Sequence, residues 1–213
     1  MLNSENTSNQ NSSCLGAVRV FPDKTPIYHQ GDSAVRIFRV NSGVVMTFRL
    51  LADSQRQITG FCTEGEFFGL SPDSRYHDGA ITVTSAGIQS VNIADVETDM
   101  DLRKTVMSFT YKKVEDTQNL LVTLTKKSSE ARVAAFLIML AERRGESKNS
   151  TADIQVTLPM SRLDIADYLG LSRETVSRRL TDFQTDGLID LPDIHTAYIP
   201  KLEALKQRAG ALV

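Results

Sequence analysis

Four polar side chains near the carboxyl end have the types and spacing needed to make hydrogen bonds to the edges of DNA bases. They are Arg173, Glu174, Ser177 and Arg178. An arginine pairs with guanine O6 and N7, a glutamate accepts from the amine of cytosine, and a serine serves either kind of edge. Thr175 and Arg179 are suited to phosphate oxygens, which orient a protein on the duplex without specifying sequence. Together these residues predict a surface that reads double-stranded DNA.

The elements that must position these side chains are two short amphipathic helices joined by a tight turn. Ser161 and Asp164 predict a capped start to the first helix, and Gly170 supplies the left-handed backbone that ends it. The apolar positions of the first helix are Leu163, Ile165, Ala166 and Leu169. Ser172 caps the second helix, whose predicted buried positions are Val176, Leu180 and Phe183. This layout predicts a helix-turn-helix whose second helix enters the major groove by its N-terminal turns.

A solvated helix face with salt pairs four residues apart is the alternative interpretation of the charged residues at 173–179. Such a face is common for any four charged side chains on a helix. The glycine turn and the apolar partner helix beside it favour DNA reading instead.

The segment Arg173–Arg178, with the sequence RETVSR, resembles the DNA-binding element of the Crp/Fnr family of bacterial transcription regulators. The pattern Glu-x-x-Ser-Arg at Glu174, Ser177 and Arg178 is similar to the FNR and FixK branch, and implies inverted half-sites like TTGAT. Arg173 is more similar to the cyclic-AMP receptor protein, so the base that it reads stays open. The resemblance covers nearly the whole chain and is most specific over 126–145 and 158–191.

The composition is that of an ordinary globular protein, with 213 residues, 41% hydrophobic residues and 23% charged residues. A net charge of −2 is not that of a bare DNA-binding domain, and it fits a basic recognition helix carried by a larger neutral or acidic domain. No apolar run is long enough for a membrane span, and the first residues lack a secretory signal pattern. We therefore expect a cytoplasmic protein without a membrane partner.

The order of patterns predicts an α+β chain. We expect a disordered tail over 1–15, a β-roll that resembles the family's cyclic-nucleotide-binding domain over 16–98, a dimerisation helix over 99–127, and a winged helix-turn-helix domain over 128–213. The predicted strands of the roll are Ala34–Val40, Val44–Leu50, Gln57–Cys62, Ala80–Thr84 and Ile88–Ile93. Their short length and the regular turns between them are typical of a barrel or roll.

The long helix carries apolar positions at alternating steps of three and four residues, as in a two-stranded coiled coil. These seam residues are Met107, Thr110, Val114, Thr117, Leu121 and Leu124. A homodimer would place two recognition helices on two half-sites about one helical turn apart, which multiplies specificity. Packing of the same stripe against the protein's own roll is the competing explanation.

The C-terminal region is expected to begin with a helix capped by Ser129 and ended by Gly145. Its predicted buried positions are Val133, Phe136, Leu137 and Leu140. A polar linker over 146–152 precedes a short strand at Ile154–Leu158. After the recognition helix, Leu188–Leu191 and Ala197–Ile199 are expected to pair as the wing.

The β-roll departs from cyclic-AMP-binding relatives at the position that would hold the cyclic phosphate. The resemblance implies an Arg-Ser pair just before a strand, and this chain has Asp78-Gly79 there. A carboxylate would repel a phosphate, and Arg75, the possible substitute, lies in a predicted loop. We therefore do not expect cyclic-nucleotide binding, and a ligand-gated regulator stays an alternative.

An iron–sulfur cluster of the FNR kind needs four thiolates, and the chain has only Cys14 and Cys62. Either cysteine is a possible redox site, although Cys62 follows an apolar strand and reads as a core residue. His29, His77 and His195 are scattered, which does not favour a haem or metal ligand set. We expect no cofactor, which fits the FixK branch.

No glycine-rich phosphate loop, metal-spaced Cys/His set or nucleophile elbow is present in the sequence, so we do not expect an enzyme. The expected function is a homodimeric, sequence-specific transcription activator that binds an inverted repeat and contacts RNA polymerase. A repressor at the same kind of site is the alternative, because promoter position decides between the two.

Overall fold

The computed structural model of the protein describes residues 15–52, 55–143 and 154–210. The chain divides into two compact units, 1–114 and 115–213. Nearly all of the predicted disordered tail lies outside the described residues, as do Cys14, Gly145 and the predicted linker. Each unit has its own hydrophobic core.

The N-terminal unit is built from eight described strands in two antiparallel sheets. The strands are β1 (Arg19–Phe21), β2 (Pro26–Tyr28), β3 (Arg36–Ser42), β4 (Val45–Leu50), β5 (Arg56–Cys62), β6 (Phe67–Phe68), β7 (Gly79–Thr82) and β8 (Ala86–Asn92). One sheet has the order β1-β8-β3-β6 and the other β2-β7-β4-β5. The five strands predicted from the sequence are all present within two or three residues of their expected bounds. The remaining three strands have only two or three residues each, too few to show an alternating pattern.

Stacked aromatic rings form the centre of the roll. The ring centroids of Tyr28 and Tyr76 lie 3.9 Å apart, and Phe38 stacks on both Tyr28 and Phe68. Offset aromatic pairs of this kind stabilise a core beyond the area that they bury. Cys62 is buried in the same cluster, in agreement with its interpretation as a core residue.

Two helices follow the roll, α1 (Ile93–Thr98) and α2 (Met100–Lys126). The Asp99 carboxylate accepts hydrogen bonds of 3.0 Å from the backbone N–H groups of Asp101 and Leu102, which satisfies two donors at the start of α2. No proline or glycine interrupts the helix. Its N-terminal half packs on the roll through Leu102, Val106 and Phe109.

The face of α2 that packs on the roll is not the predicted coiled-coil seam. Met107, Val114 and Leu121 are 46%, 50% and 61% exposed, and Thr110 and Thr117 are exposed as well. Leu124 is half-buried. The competing explanation, in which the stripe packs against the protein's own roll, is therefore wrong for this helix.

The C-terminal unit contains four described helices and two strands beyond α2. They are α3 (Ser129–Arg143), β9 (Ile154–Thr157), α4 (Arg162–Leu169), α5 (Arg173–Thr185), β10 (Thr196–Ile199) and α6 (Leu202–Ala209). The four predicted apolar positions of α3 are buried, together with Ala134 and Ala141. They pack in one core with α5, α6 and β9.

Three local predictions in this unit need correction. The side chain of Ser128, not Ser129, accepts a hydrogen bond from the first turn of α3, at 3.2 Å from the Ala131 nitrogen. In α4, Leu163 is exposed and Tyr168 is buried, because the helix turns its Ile165–Leu169 side to the core. The main partner of β10 is β9, whereas residues 188–191 contribute only a single bridge between Asp190 and Tyr198.

Candidate nucleic-acid interface

The geometry of the turn between α4 and α5 fixes the direction of the second helix. Ser161 and Asp164 form a capping box, with hydrogen bonds of 3.1 and 3.0 Å between side chain and backbone in both directions. Gly170 adopts φ of 60°, and the backbone N–H of Leu171 donates to the Ala166 carbonyl at 3.1 Å. Only a residue without a Cβ adopts this left-handed backbone at low cost. Ser172 then caps α5 by accepting from the Thr175 nitrogen at 3.2 Å.

The two sides of α5 divide between core and solvent as the sequence predicts. Val176, Leu180 and Phe183 are buried, which anchors the helix against α3 and α4. The opposite side exposes the four proposed base-reading residues: Arg173, Glu174, Ser177 and Arg178. Their side chains therefore lie together on one outward surface of the first two turns of the helix.

The charged residues on this surface do not form the salt pairs of a solvated helix face. Among the described residues, the structure gives Arg173, Glu174 and Arg178 no ion pair and no side-chain hydrogen bond, although Glu174 and Arg178 are four positions apart. Their donors and acceptors are free for an external partner. This arrangement favours recognition over self-pairing.

The two residues predicted to contact phosphate differ from the others. The guanidinium of Arg179 is half-buried and donates to Ser129 Oγ at 3.2 Å and to Asp182 Oδ2 at 3.0 Å, so it links α5 to α3. The Thr175 hydroxyl lies 2.9 Å from Ser172 Oγ at the start of α5. Both residues help to hold the helix in place, and their contact with phosphate stays a prediction.

A further arginine, which the sequence did not predict as part of the site, forms hydrogen bonds next to the turn. The side chain of Arg132 in α3 donates from Nε to the Lys127 carbonyl at 3.1 Å and from Nη1 to the Leu169 carbonyl at 3.2 Å. It thereby ties the end of α2 to the end of α4. Its partners are backbone carbonyls, one of them 37 residues away, so no pattern in the sequence could have indicated this role.

The position in the roll that resembles a cyclic-phosphate site carries a partly buried carboxylate. The Tyr28 hydroxyl donates to Asp78 Oδ1 at 3.4 Å. Burial raises the pKa of Asp78, and the nearby cations Arg49 and Lys113 oppose that rise. Arg75, the possible substitute cation, is exposed and donates to the Gly31 carbonyl at 2.7 Å. This position therefore carries a carboxyl group in place of the implied arginine, and Arg75 is engaged with a backbone carbonyl.

The described residues also bear on the metal and redox hypotheses. In the parts of the chain that the structure describes, no three His, Cys, Asp or Glu side chains converge as a metal site requires. Cys62 is buried, and buried thiols in apolar surroundings are poorly reactive. The redox hypothesis for Cys14 concerns a residue outside the described ranges.

Comparison with known proteins also finds a helix-turn-helix domain in this part of the chain. Residues 131–208 match the family model for a Crp-like helix-turn-helix domain, and residues 18–87 match the model for a cyclic nucleotide-binding domain. The nitrogen fixation regulation protein FixK of Azorhizobium caulinodans is 35% identical over 197 residues, which cover 91% of this chain and 79% of that protein. The chain belongs to the Crp/Fnr family. It is a DNA-binding transcription regulator of that family's type.

Other Crp/Fnr proteins extend the comparison. The transcriptional activator protein FnrA of Stutzerimonas stutzeri is 34% identical over 177 residues, which cover 77% of this chain and 69% of that protein. The solved structure of FixK2 from Bradyrhizobium japonicum superposes with a TM-score of 0.82 at 27% identity, covering 92% of this chain and 99% of that one. These relatives are regulators and not enzymes, in agreement with the sequence-based expectation. No helix in the described ranges has the length and apolar character to cross a membrane.

Replacing Asp78 by Asn should change how stability depends on pH. Burial raises the pKa of Asp78, so the folded protein binds this proton more tightly than the unfolded chain does. The contribution of Asp78 to the free energy of unfolding is therefore present at low pH and is lost as the pH rises through its folded pKa. We expect the stability of the natural protein, relative to Asp78→Asn, to fall across the pH range above about 4, the ordinary carboxyl pKa.

Urea titrations of both proteins across that range measure this difference. Asp73→Asn is the control, because hydrogen bonding from the Arg75 backbone lowers the pKa of Asp73, so its effect on stability should be constant across that range. A difference that does not change with pH would contradict the assigned environment of Asp78.

Proposed function

We propose that the protein is a homodimeric transcription activator that recognises an inverted repeat of TTGAT-like half-sites. The observation that carries this proposal is the exposed and unpaired set of Arg173, Glu174, Ser177 and Arg178 on a helix whose other side is anchored in the core. These types match the acceptor and donor pattern of base edges in the major groove. Selection of bound sequences from random DNA by the purified protein, with no added ligand, tests the proposal.

The proposed homodimer is supported by the exposed apolar stripe of α2. Met107, Val114 and Leu121 are each about half exposed, and Tyr111 beside them is 68% exposed. A row of large apolar side chains along one helix face is unusual on a surface that faces only water. Pairing of two such helices would bury the row and bring two recognition helices into one complex.

The proposed role as an activator rests on relatives whose names describe them as activators, such as FnrA. Activation requires contact with RNA polymerase, which we propose as a second protein partner. Action on promoter DNA also implies a cytoplasmic location in a bacterial cell. A repressor at the same site differs only in where the site lies relative to a promoter.

Glu174→Ala should relax specificity at one base pair of each half-site. Loss of an acceptor for the cytosine amine is expected to remove about 1–3 kcal/mol of discrimination at that pair. The measurement is a set of dissociation constants for the selected site and for its single-base variants at fixed salt. Gln184→Ala is the control, because Gln184 is exposed on the same helix but lies beyond its first two turns. Equal weakening on matched and mismatched DNA would contradict base reading by Glu174.

Leu121→Lys should prevent dimer formation, because it places a charge in the proposed apolar seam. We expect light scattering at tens of micromolar, a concentration chosen to favour association, to give a dimer for the natural protein and a monomer for the variant. Leu163→Lys is the matched control, since Leu163 is a half-exposed leucine on another helix. A natural protein that stays monomeric even with its DNA site present would refute the proposed dimer.

Cyclic-nucleotide gating is a second candidate function, and the match of residues 18–87 to the cyclic nucleotide-binding model favours it. The partly buried carboxylate of Asp78 argues against it, because it would repel a cyclic phosphate. Calorimetric titration of the protein with cyclic AMP and cyclic GMP decides between the two. We expect no saturable heat with either nucleotide and no change in DNA affinity. Saturable binding of either one would overturn the ligand-free activator.

A further inference from the structure

The C-terminal unit contains a cavity of about 590 Å³, partly open to solvent, between α2, α3, α4 and α6. Its apolar wall is formed by Leu120, Phe136, Met139 and Leu169 among others. The Tyr168 hydroxyl, which also lines the cavity, donates to the Met139 sulfur at 3.7 Å. A concave, largely apolar space of this size is typical of small-molecule sites. The proposed DNA surface on α5 does not line it.

The cavity lies on the opposite side of α2 from the proposed dimer seam. Its lining residue Thr123 is buried and follows the seam residue Leu121 by two positions, about 200° around a helix with 3.6 residues per turn. Asp116 and Leu120 lie on the same side as Thr123. Formation of the proposed dimer would therefore leave the cavity open to a ligand.

Two cationic residues, Lys127 and Arg132, line this cavity. Lys127 Nζ donates to the carbonyls of Ala209 and Gly210 at 2.7 and 2.9 Å, and burial lowers the pKa of this lysine. Arg132 is its neighbour, since Arg132 Nε donates to the Lys127 carbonyl. Within the described ranges, neither cation has a carboxylate partner. Their partners in these ranges are neutral backbone carbonyls.

The carboxylates that line the cavity are engaged elsewhere or lie away from these cations. Asp116 lies 3.9 Å from Arg143, and Glu203 lies 2.9 Å from Lys206. Glu142 is exposed and is ten residues along α3 from Arg132, which is about 15 Å at 1.5 Å per residue. The lining thus combines the cations Lys127 and Arg132 with apolar walls, and the Glu142 carboxylate lies at the far end of α3.

We propose that this cavity binds an amphipathic monocarboxylate, with its carboxylate on Lys127 and Arg132 and its hydrophobic part against Leu120, Phe136 and Met139. A carboxylate supplies a negative charge that neither cation contacts in the described ranges. It also accepts stronger hydrogen bonds than the carbonyls do. The apolar walls accommodate an alkyl chain or a small ring system. The Glu142 carboxylate disfavours a second negative charge on the ligand.

Arg132 connects this site to the turn of the helix-turn-helix, because the same guanidinium donates to the Leu169 carbonyl. A bound carboxylate would draw Arg132 away from that carbonyl and loosen the turn. We therefore expect ligand binding to weaken DNA binding by about twofold to fivefold. This regulatory consequence rests on the proposed function, whereas binding to the cavity does not.

Calorimetric titration of the full chain without DNA tests the site, with octanoate, decanoate and 1-naphthoate as probes and octan-1-ol as the neutral counterpart. We expect saturable binding of at least one carboxylate, weakened about threefold to tenfold in Lys127→Gln and restored in Lys127→Arg. Lys201→Gln is the control, because Lys201 is exposed in the same unit but does not line the cavity. The binding of octan-1-ol should be unaffected by Lys127→Gln.

Ala135→Phe provides an independent variant, since Ala135 lines the cavity and a phenyl ring there would fill part of it. It should abolish binding of every probe, while unchanged affinity for the selected DNA site shows that the variant is folded. If none of the three carboxylates binds saturably to the natural protein, or if Ala135→Phe binds them equally well, the proposed site is refuted.

DNA titrations with and without a saturating probe test the link through Arg132. A twofold to fivefold loss of DNA affinity in the natural protein, absent in Ala135→Phe, supports it. Saturable probe binding with no effect on DNA affinity overturns the link and leaves the site. Loss of specific DNA binding by the ligand-free protein would instead refute the proposed function, so the two failures are distinguishable.

Discussion

The position of the recognition helix depends on one constraint, the left-handed backbone at Gly170. This residue lets the chain leave α4 and enter α5 within a few residues, and capping on both sides satisfies the helix ends. Arg132 then fixes the turn from outside by donating to the Leu169 carbonyl. The burial of Val176 and Phe183 sets the rotation of α5 about its own axis. Once these contacts are made, the side chains of Arg173, Glu174, Ser177 and Arg178 face solvent.

The side chains of α2 likewise divide between buried and exposed surroundings. Leu102 and Val106 pack on the roll, and Thr123 is buried in the C-terminal unit. The remaining side of the helix carries the exposed apolar row. One helix thus contributes to a core near each end and leaves a third side unpartnered. Because apolar residues lie on three sides of α2, the helix as a whole is only weakly amphipathic. The sequence alone therefore leaves open what the apolar stripe packs against.

Sequence patterns predicted those features that depend on local chemistry. The capping box at Ser161, the glycine turn and the buried side of α5 each follow from residues within four positions of one another. The strands of two or three residues escaped prediction, because their existence depends on partners far along the chain. The spacing of apolar residues predicts Leu163 in the core. In the structure Tyr168 packs on Phe136 instead, and this orientation of α4 leaves Leu163 exposed.

Hydrogen bonds from arginine side chains to distant parts of the chain could not be predicted from the sequence either. Arg132, and Arg208 with its bonds to Glu130 and Asp186, hold the C-terminal unit together across separations of 22 to 78 residues. The sequence predicts a phosphate contact for Arg179 but not the bonds of its guanidinium to Ser129 and Asp182. Such roles depend on which surface a neighbouring helix presents, and a linear pattern carries no information about that.

The freedom of the outward side chains of α5 has an evolutionary consequence. Because Arg173, Glu174 and Arg178 contribute no described contact to the folded protein, exchanging them leaves the energetics of the core untouched. If these side chains read the DNA bases as proposed, substitutions that change the preferred DNA site need not change the free energy of unfolding. A lineage of such regulators can acquire new binding sites through a handful of codon changes, without passing through unstable intermediates.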